Sequence, residues 1–187
     1  IIIPVFVFIP MYNMMFPNKS PDYIASHSGL YKKYGLLRWE DGKDHALPQD
    51  YADMLGWKEL ADKIDAIYST LPNQSQTFIL CDNYGQAGAI NYYTKNKNVR
   101  ANSFNADYIN WFQLDKKYTN LIRVKSLESE GDELIETSPF FDTAYVAGSI
   151  TNAFSREYGT QIFVFLKATI DINKRIRQEI EDERNYH

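Results

Sequence analysis

The chain has 187 residues, of which 44% are hydrophobic and 24% charged, and its net charge is −4. A chain of this length can bury a full core without a disulfide or a metal, and its negative charge argues against nucleic acid as a partner, because phosphate binding requires a basic face. The aromatic content of 15% is high. Rings that carry polar tips suit contacts with sugars or proteins and suit cores equally.

The first sixteen residues form an apolar segment without charge that is interrupted by Pro4 and Pro10. The segment is shorter than the ~20 apolar residues of a membrane helix, and the two prolines oppose a regular helix through it. It also lacks the positive start and the small-residue cleavage site of a signal peptide. Two interpretations of residues 1–16 remain, namely the exit from a membrane helix that lies upstream, or an edge strand of the folded domain.

The polar segment that follows leads into the clearest helical pattern of the chain. A weak helix is predicted over residues 23–34. His27 and His45 have no partner at metal-ligand spacing, so we predict no metal site. From Trp57 onwards, apolar residues recur at i, i+3, i+4 and i+7, which predicts an amphipathic helix. Its apolar face consists of Trp57, Leu60, Ala61, Ile64, Tyr68 and Leu71.

Residues 77–95 predict a strand, a glycine-containing turn and a helix in direct succession. The short apolar run 77–81 is typical of a strand that is buried on both faces of a parallel sheet, and a helix is predicted from Ala87. In a sheet covered by helices, ligands bind at the carboxyl end of such a strand, where free helix N–H groups face them. The candidate ligand-binding residues of this turn are Asn83, Tyr84, Gly85, Gln86 and Gly88.

This turn matches neither the dinucleotide-binding pattern nor the P-loop pattern. The spacing Gly-x-Gly-x-x-Gly is missing, and no Lys-Ser or Lys-Thr pair follows the glycines. The alternative interpretation is that Gly85 and Gly88 only allow a tight turn and close helix packing. The single cysteine, Cys81, is predicted to be a small core residue.

Residues 104–112 mix aromatic rings with Asn and Asp side chains. Carbohydrate sites use this mixture, because rings stack on the C–H faces of sugars while amides bind their hydroxyls. The candidate residues are Asn105, Tyr108 and Trp111. In the alternative interpretation, the rings pack onto the sheet and the amides cap turns.

The remaining pattern predicts a single α/β domain over residues 17–187. The predicted strands cover residues 77–82, 99–103, 119–125, 143–148 and 161–167, and Asp171 is predicted to cap a final helix that reaches Arg184. Helices that alternate with buried strands are typical of an α/β fold. We therefore expect one three-layer, Rossmann-like domain with a mostly parallel sheet.

Two motifs, in their order along the chain, resemble a family of membrane enzymes. Residues 47–60, LPQDYADMLGWKEL, precede a strand, and residues 83–89, NYGQAGA, follow that strand before an aromatic stretch. This arrangement resembles the C-terminal soluble region of bacterial membrane glycosyltransferases in the superfamily of dolichyl-phosphate-mannose protein mannosyltransferases and lipid A aminoarabinose transferases. The similarity covers roughly Pro4 to Lys167, and Pro4 and Pro10 resemble the family's exit from its last membrane helix.

The resemblance implies a multispan inner-membrane enzyme that takes a sugar from a polyprenyl phosphate carrier, with this chain as its periplasmic tail. Its partners would be the membrane-spanning catalytic part of the same polypeptide and either glycan or the polyprenyl-phosphate sugar. No cofactor is implied. In that family the catalytic acids lie in loops among the membrane helices, so no catalytic residue is carried over and the isolated chain is expected to be inactive.

Two other classes of function stay open at this point. One is a free-standing soluble enzyme that binds a nucleotide or a sugar phosphate at residues 83–88. The other is a protein-interaction module without a small-molecule ligand. The missing phosphate-binding fingerprints favour the glycosyltransferase interpretation.

Overall fold

The computed structural model describes residues 2–186, apart from the side chains of Ile2, Ile3, Val7, Pro10, Asn13 and Tyr186. Contacts divide the chain into two compact units, Ile1–Leu55 with Asn152–Arg156, and Gly56–Thr151 with Glu157–His187. The prediction of one domain over residues 17–187 stays a prediction, because a division by contacts does not by itself mark domains that fold independently.

The first unit is helical. Its helices are α1 (Ile2–Met15), α2 (Pro21–Ser26), α3 (Ser28–Lys33) and α4 (Gln49–Ala52). The weak helix that was predicted over residues 23–34 is thus divided at His27, which ends α2 and precedes α3. The buried core of this unit consists of Ile24, Tyr31, Leu37, Leu47, Tyr51 and Ala52.

Helix α1 corrects the expectation for the apolar first segment. The edge-strand interpretation is wrong, because residues 2–15 are helical despite the two prolines. Pro4 lies in the first turn, where its missing N–H breaks no intrahelical bond, so only Pro10 removes one. Among residues 2–186, no helix has both the length and the apolar character that crossing a membrane requires.

The second unit contains one five-stranded sheet and the remaining helices. Its elements are α5 (Trp57–Thr70), β1 (Thr77–Cys81), α6 (Tyr84–Tyr93), β2 (Ala101–Ser103), β3 (Asn120–Lys125), α7 (Glu133–Thr137), β4 (Phe141–Ser149), β5 (Gln161–Ala168) and α8 (Ile172–Tyr186). The positions of all five predicted strands are confirmed, as is the α/β class.

The strand order is β2-β1-β3-β5-β4. Strand β1 runs parallel to β2 and β3, whereas β5 runs antiparallel to both β3 and β4, and these two antiparallel pairings contain most of the paired residues. The prediction of a mostly parallel sheet is therefore not confirmed. Burial on both faces gives β5 the continuous apolar sequence of a parallel strand, although its direction is reversed.

Side chains of successive residues in β1 enter two different cores. Ile79 and Cys81 pack with Leu60 of α5 and Ile90 of α6, whereas Phe78 packs with residues of α8. Because side chains alternate across a strand, α5 and α6 cover one face of the sheet and α8 covers the other. The predicted Rossmann-like, three-layer classification is not confirmed by this packing alone.

Local sequence explains where the helices of this unit begin. In the predicted apolar face of α5, Leu60, Ala61, Ile64 and Tyr68 are buried, whereas Trp57 is half-buried. The Asp171 carboxylate accepts a hydrogen bond of 3.0 Å from the backbone N–H of Lys174 at the start of α8. Helix α6 begins at Tyr84, three residues before the predicted start, because the side chain of Asn83 caps it. The sequence around Gly85 and Gly88 has no helical periodicity, so the first turn of α6 was not predicted.

Candidate functional site

Polar residues follow the carboxyl ends of the parallel strands, and two of them, Asn83 and Asn105, are predicted site residues. Asp82 and Asn83 follow β1, Asn105 lies close after β2, and Ser126 follows β3. Because these three strands are parallel neighbours, their carboxyl ends meet at one edge of the sheet. This edge is where ligands bind in many α/β proteins.

The carboxylate of Asp82 is the centre of a hydrogen-bond network at this edge. It accepts the backbone N–H of Ser126 at 2.8 Å and the hydroxyl of Ser129 at 2.5 Å, and it forms an ion pair with the Arg123 guanidinium. The side chains of Asp82 and Arg123 are only 15% and 17% exposed. The network thus connects the loop after β1 with the loop after β3.

Gln86 extends this network into the core. Its side chain is fully buried, and its amide nitrogen donates hydrogen bonds of 2.8 Å to the Ser126 hydroxyl and to a carboxylate oxygen of Glu157. Its amide oxygen accepts the backbone N–H of Asp82 at 3.2 Å. These contacts give Gln86 a structural role, whereas the sequence had made it a candidate for ligand contact.

The N-terminus of α6 is capped by the protein itself. The side-chain oxygen of Asn83 accepts the backbone N–H of Gln86 at 2.9 Å, so that donor does not face an external anion. The Asp82 carboxylate next to it is an acceptor that Arg123, Ser126 and Ser129 already occupy. Tyr84 is the exposed residue of the turn, at 57%.

The two glycines of the turn allow other residues to approach the helix closely. A methyl group on Gly85 would lie 3.3 Å from the ring of Trp57, and one on Gly88 would lie 3.2 Å from the hydroxyl of Tyr108. Neither glycine has a positive φ. The contacts support the interpretation that both glycines serve close packing.

The contact between Gly88 and Tyr108 brings the two predicted segments together. Tyr108 lies in a short 3-10 turn, Ala106–Asn110, and its ring lies 4.8 Å from that of Trp111. Trp111 is 53% exposed, and Asn105 is also exposed. The Asn105 backbone N–H is held by the hydroxyl of Ser103 at 3.1 Å. An exposed ring and an exposed amide therefore lie close after β2.

A cavity of about 550 Å³ opens beside this segment, and we name it the carboxyl-edge cavity. The guanidinium of Arg184 in α8 donates a hydrogen bond of 3.0 Å to the side-chain oxygen of Asn110 at its rim. The cavity is lined by Asp82, Phe104, Asn105, Ala106, Ile109, Asn110, Glu183 and Arg184.

Sequence reasoning missed three of these lining residues. The sequence does contain a signal for Asp82, because this residue directly follows a buried strand. Glu183 and Arg184 had none, because they reach the cavity from a helix that is distant in sequence.

A second cavity of about 560 Å³, the α8 cleft, lies between the sheet, α7 and α8. Its apolar wall includes Leu121 and Ile176, and Arg123 forms part of its charged wall. The nearly buried Glu133 accepts a 2.7 Å hydrogen bond from the Thr137 hydroxyl and lies 3.5 Å from Nε of Arg123. Arg123 therefore joins the α8 cleft to the Asp82 network.

Glu179, on the wall of the α8 cleft, should make the protein less stable as the pH rises. Burial raises the pKa of its carboxyl above the ordinary value of 4.5, against the opposing effect of Arg175. The unfolded chain then releases this proton at a lower pH than the folded protein does, so the stabilisation is complete below the unfolded pKa and is lost as the pH rises through the folded pKa.

We expect Glu179→Gln to remove this part of the pH dependence. Urea unfolding from about pH 4 to about pH 8 would show a smaller loss of stability with rising pH than in the wild type. Glu181→Gln, an exposed position on the same helix, is the matched control. If the free energy of unfolding fell equally with rising pH in the wild type and in Glu179→Gln, Glu179 would not be the source of this pH dependence.

The site has neither an activated thiol nor a metal-binding cluster among the described residues. Cys81 is buried, and this burial raises the pKa of its thiol, so it is not activated as a nucleophile. Within residues 2–186, no group of three or more His, Cys, Asp or Glu side chains is placed to hold a metal ion.

No family model, curated protein or solved structure matches the chain.

Proposed function

We propose that this chain is an extracytoplasmic accessory domain of a polyprenyl-phosphate-sugar-dependent membrane glycosyltransferase. In this proposal the domain contacts glycan or acceptor at the carboxyl-edge cavity and has no catalytic activity alone. The membrane-spanning catalytic part of the same polypeptide is its main partner, and the domain lies on the periplasmic side of the inner membrane. A Rossmann-like, three-layer fold belongs to the same proposal, supported by helices on both faces of the sheet.

The observation that carries the proposal is the contact between the glycine turn, residues 83–88, and the aromatic segment, residues 104–112. The glycine turn that resembles the glycosyltransferase family packs through Gly88 against Tyr108 of the aromatic segment. The rings of Tyr108 and Trp111 are in contact, and the Trp111 ring is half exposed. The glycine turn, one of the two motifs on which the resemblance rests, therefore packs against an aromatic surface that lies beside an open cavity.

The chemistry of the carboxyl-edge cavity suits sugar hydroxyls. Asn105 and Asn110 supply amides, and Asp82 and Glu183 supply carboxylates. Amides and carboxylates bind hydroxyl groups by hydrogen bonds, while an exposed indole ring stacks on the apolar face of a pyranose. The mixed lining favours a neutral glycan over a nucleotide.

Helix α1 fits the membrane part of the proposal. It carries no charge, and Val5, Phe6, Phe8 and Ile9 are each more than half exposed. Apolar side chains in this concentration on a surface indicate a site that contacts lipid or another protein. A position next to the membrane would cover them.

The alternative of a free-standing enzyme that binds phosphate at residues 83–88 has less support. Asn83 occupies the backbone donor at the start of α6, and the Asp82 carboxylate lies beside it. A phosphate would have to displace the Asn83 side chain, and the Asp82 carboxylate offers it no hydrogen-bond donor.

The membrane part can be tested with an antibody against this chain on fractionated source cells. A band far above 21.8 kDa, the mass of the 187-residue chain, in the integral-membrane fraction is the expected result. A soluble band near 21.8 kDa would contradict the proposal and make the turn at residues 83–88 the leading candidate site.

Trp111→Ala should weaken glycan binding by about fivefold to tenfold, because loss of one stacked ring removes about 1 to 1.4 kcal/mol. Binding would be measured by NMR titration with neutral oligosaccharides of hexoses and N-acetylhexosamines, in which residues 104–111 should shift. Tyr92→Ala is the matched control, because Tyr92 is an exposed ring on α6, whereas Trp111 directly follows Asn110 of the cavity lining. Equal affinities of both variants and the wild type would contradict the assignment.

A further inference from the structure

A third cavity lies at the opposite edge of the sheet, where β1, β2 and β3 begin. It has a volume of about 380 Å³, and we name it the amino-edge cavity. Thr77 at the start of β1, Arg100 just before β2 and Tyr118 just before β3 all line it. It is therefore separate from the site proposed above.

Positive charge from two different segments converges on the amino-edge cavity. Lys97 and Arg100 come from the loop before β2, and Lys116 comes from the loop before β3. Asp115 is the one acidic residue among those that line it. The amino-edge cavity is thus locally basic in a chain whose net charge is −4.

These three cations form no ion pair within the part of the chain that the structure describes. Other lysines of the same unit do, since Lys58 pairs with Asp62 at 2.5 Å and Lys63 pairs with Glu59 at 2.6 Å. Lys95, two residues before Lys97, also pairs with Asp62. The positive charge around the amino-edge cavity is therefore available to an external anion.

The neutral part of the lining is rich in hydrogen-bonding groups. Gln74, Asn98 and Gln113 supply side-chain amides, and Ser75 supplies a hydroxyl. The ring of Tyr118 forms part of the wall. Tyr68 and Phe78 also line the cavity. Several amides among aromatic rings fit a ligand that carries several hydroxyl groups.

Buried hydrogen bonds hold the walls of this cavity in place. The side chain of Asn173, which is 7% exposed, accepts the backbone N–H of Tyr118 at 3.0 Å and donates to the carbonyl of Lys116 at 2.6 Å. The Tyr118 hydroxyl donates to the carbonyl of Gln113 at 2.9 Å. The loop that carries Lys116 is thus ordered before any ligand arrives, which lowers the entropic cost of binding.

We propose that the amino-edge cavity binds an acidic carbohydrate, that is, a sugar that carries a carboxylate or a phosphate. The oxyanion lies among Lys97, Arg100 and Lys116, while Asn98 and Gln113 bind the hydroxyl groups of the sugar ring. The site does not depend on the glycosyltransferase assignment, because it shares no lining residue with the carboxyl-edge cavity.

NMR titration with glucuronate, glucose 6-phosphate, glucose and inorganic phosphate tests this proposal. We expect the two acidic sugars to shift the amides of residues 97–102 and 113–118 and to bind at least tenfold more tightly than glucose or inorganic phosphate. Their affinity should fall as NaCl is raised, because screening weakens the charge contacts. Vesicles with and without an anionic phospholipid form a separate arm that detects a lipid headgroup.

The double variant Lys97→Gln/Lys116→Gln should weaken binding of both acidic sugars at least tenfold. The control is Lys32→Gln/Lys58→Gln, which removes the same charge from exposed ion pairs with Asp44 and Asp62 outside the amino-edge cavity. Circular dichroism and urea midpoints would establish that both double variants are folded. Neither lysine of the test pair makes a side-chain hydrogen bond within residues 2–186, so we expect folding to be unaffected.

Several results would overturn the proposal. One is the same affinity in the test and control variants, and another is no shift at millimolar acidic sugar. Inorganic phosphate that binds as tightly as the acidic sugars would show an anion site without sugar recognition. Binding to anionic vesicles alone would assign the basic cluster to a lipid surface. Shifts of residues 104–111 by neutral oligosaccharides report separately on the proposed function.

Discussion

Asp82→Asn should lower the free energy of unfolding by about 3 kcal/mol, because it removes a mostly buried charge on which three donors converge. Ser126, Ser129 and Arg123 all direct hydrogen bonds at this carboxylate. The asparagine side chain has nearly the same size, but its NH2 group would face one of these donors. The Arg123 guanidinium would keep Glu133, at 3.5 Å, as its remaining carboxylate partner.

Urea unfolding followed by tryptophan fluorescence at pH 7 measures this difference. Asp62→Asn is the matched control, because Asp62 forms ion pairs with Lys58 and Lys95 that are largely exposed. Exposed pairs contribute at most about 1 kcal/mol, so the control should unfold near the wild-type midpoint. Similar losses in the two variants would show that the Asp82 network does not hold the carboxyl edge together.

The elements that could be predicted from the sequence are those whose pattern is local. Strands β1 and β5 are continuous apolar runs, and α5 has an unbroken i, i+3, i+4 stripe, so each was predicted within a few residues. The direction of β5 could not be predicted, because a strand that is buried on both faces has the same kind of apolar sequence in either direction. Helix α1 was missed because its prolines were given more weight than their positions in the helix justify.

The residues of the candidate site could likewise be predicted only where the sequence pattern is local. Asn83 was found because it lies in a turn that follows a buried strand, and Asn105 because it lies in a segment that mixes aromatic rings with amides. The structural role of Gln86 could not be predicted, because its partners Ser126 and Glu157 are 40 and 71 residues away. The amino-edge cavity was missed for the same reason, since Lys97 and Lys116 lie in different loops and only the strand order brings them together.

Gln86→Leu decides between a structural and a ligand-binding role for the glycine turn. Leucine fills a similar volume but removes the two donors that reach Ser126 and Glu157 and the acceptor that Asp82 uses. A buried polar group that loses its partner costs about 1 to 3 kcal/mol. We therefore expect the free energy of unfolding to fall by about 2 to 3 kcal/mol, as measured by urea unfolding.

Gln178→Leu is the matched control, because it makes the same exchange at an exposed position of α8. Exposed substitutions of this kind usually change stability by no more than about 0.5 kcal/mol. If Gln86→Leu is instead as stable as this control while binding of a ligand at residues 83–88 is lost, Gln86 is a ligand contact as the sequence had suggested. A large loss of stability in Gln86→Leu alone would leave Tyr84, the exposed side chain of the turn, as the candidate for ligand contact there.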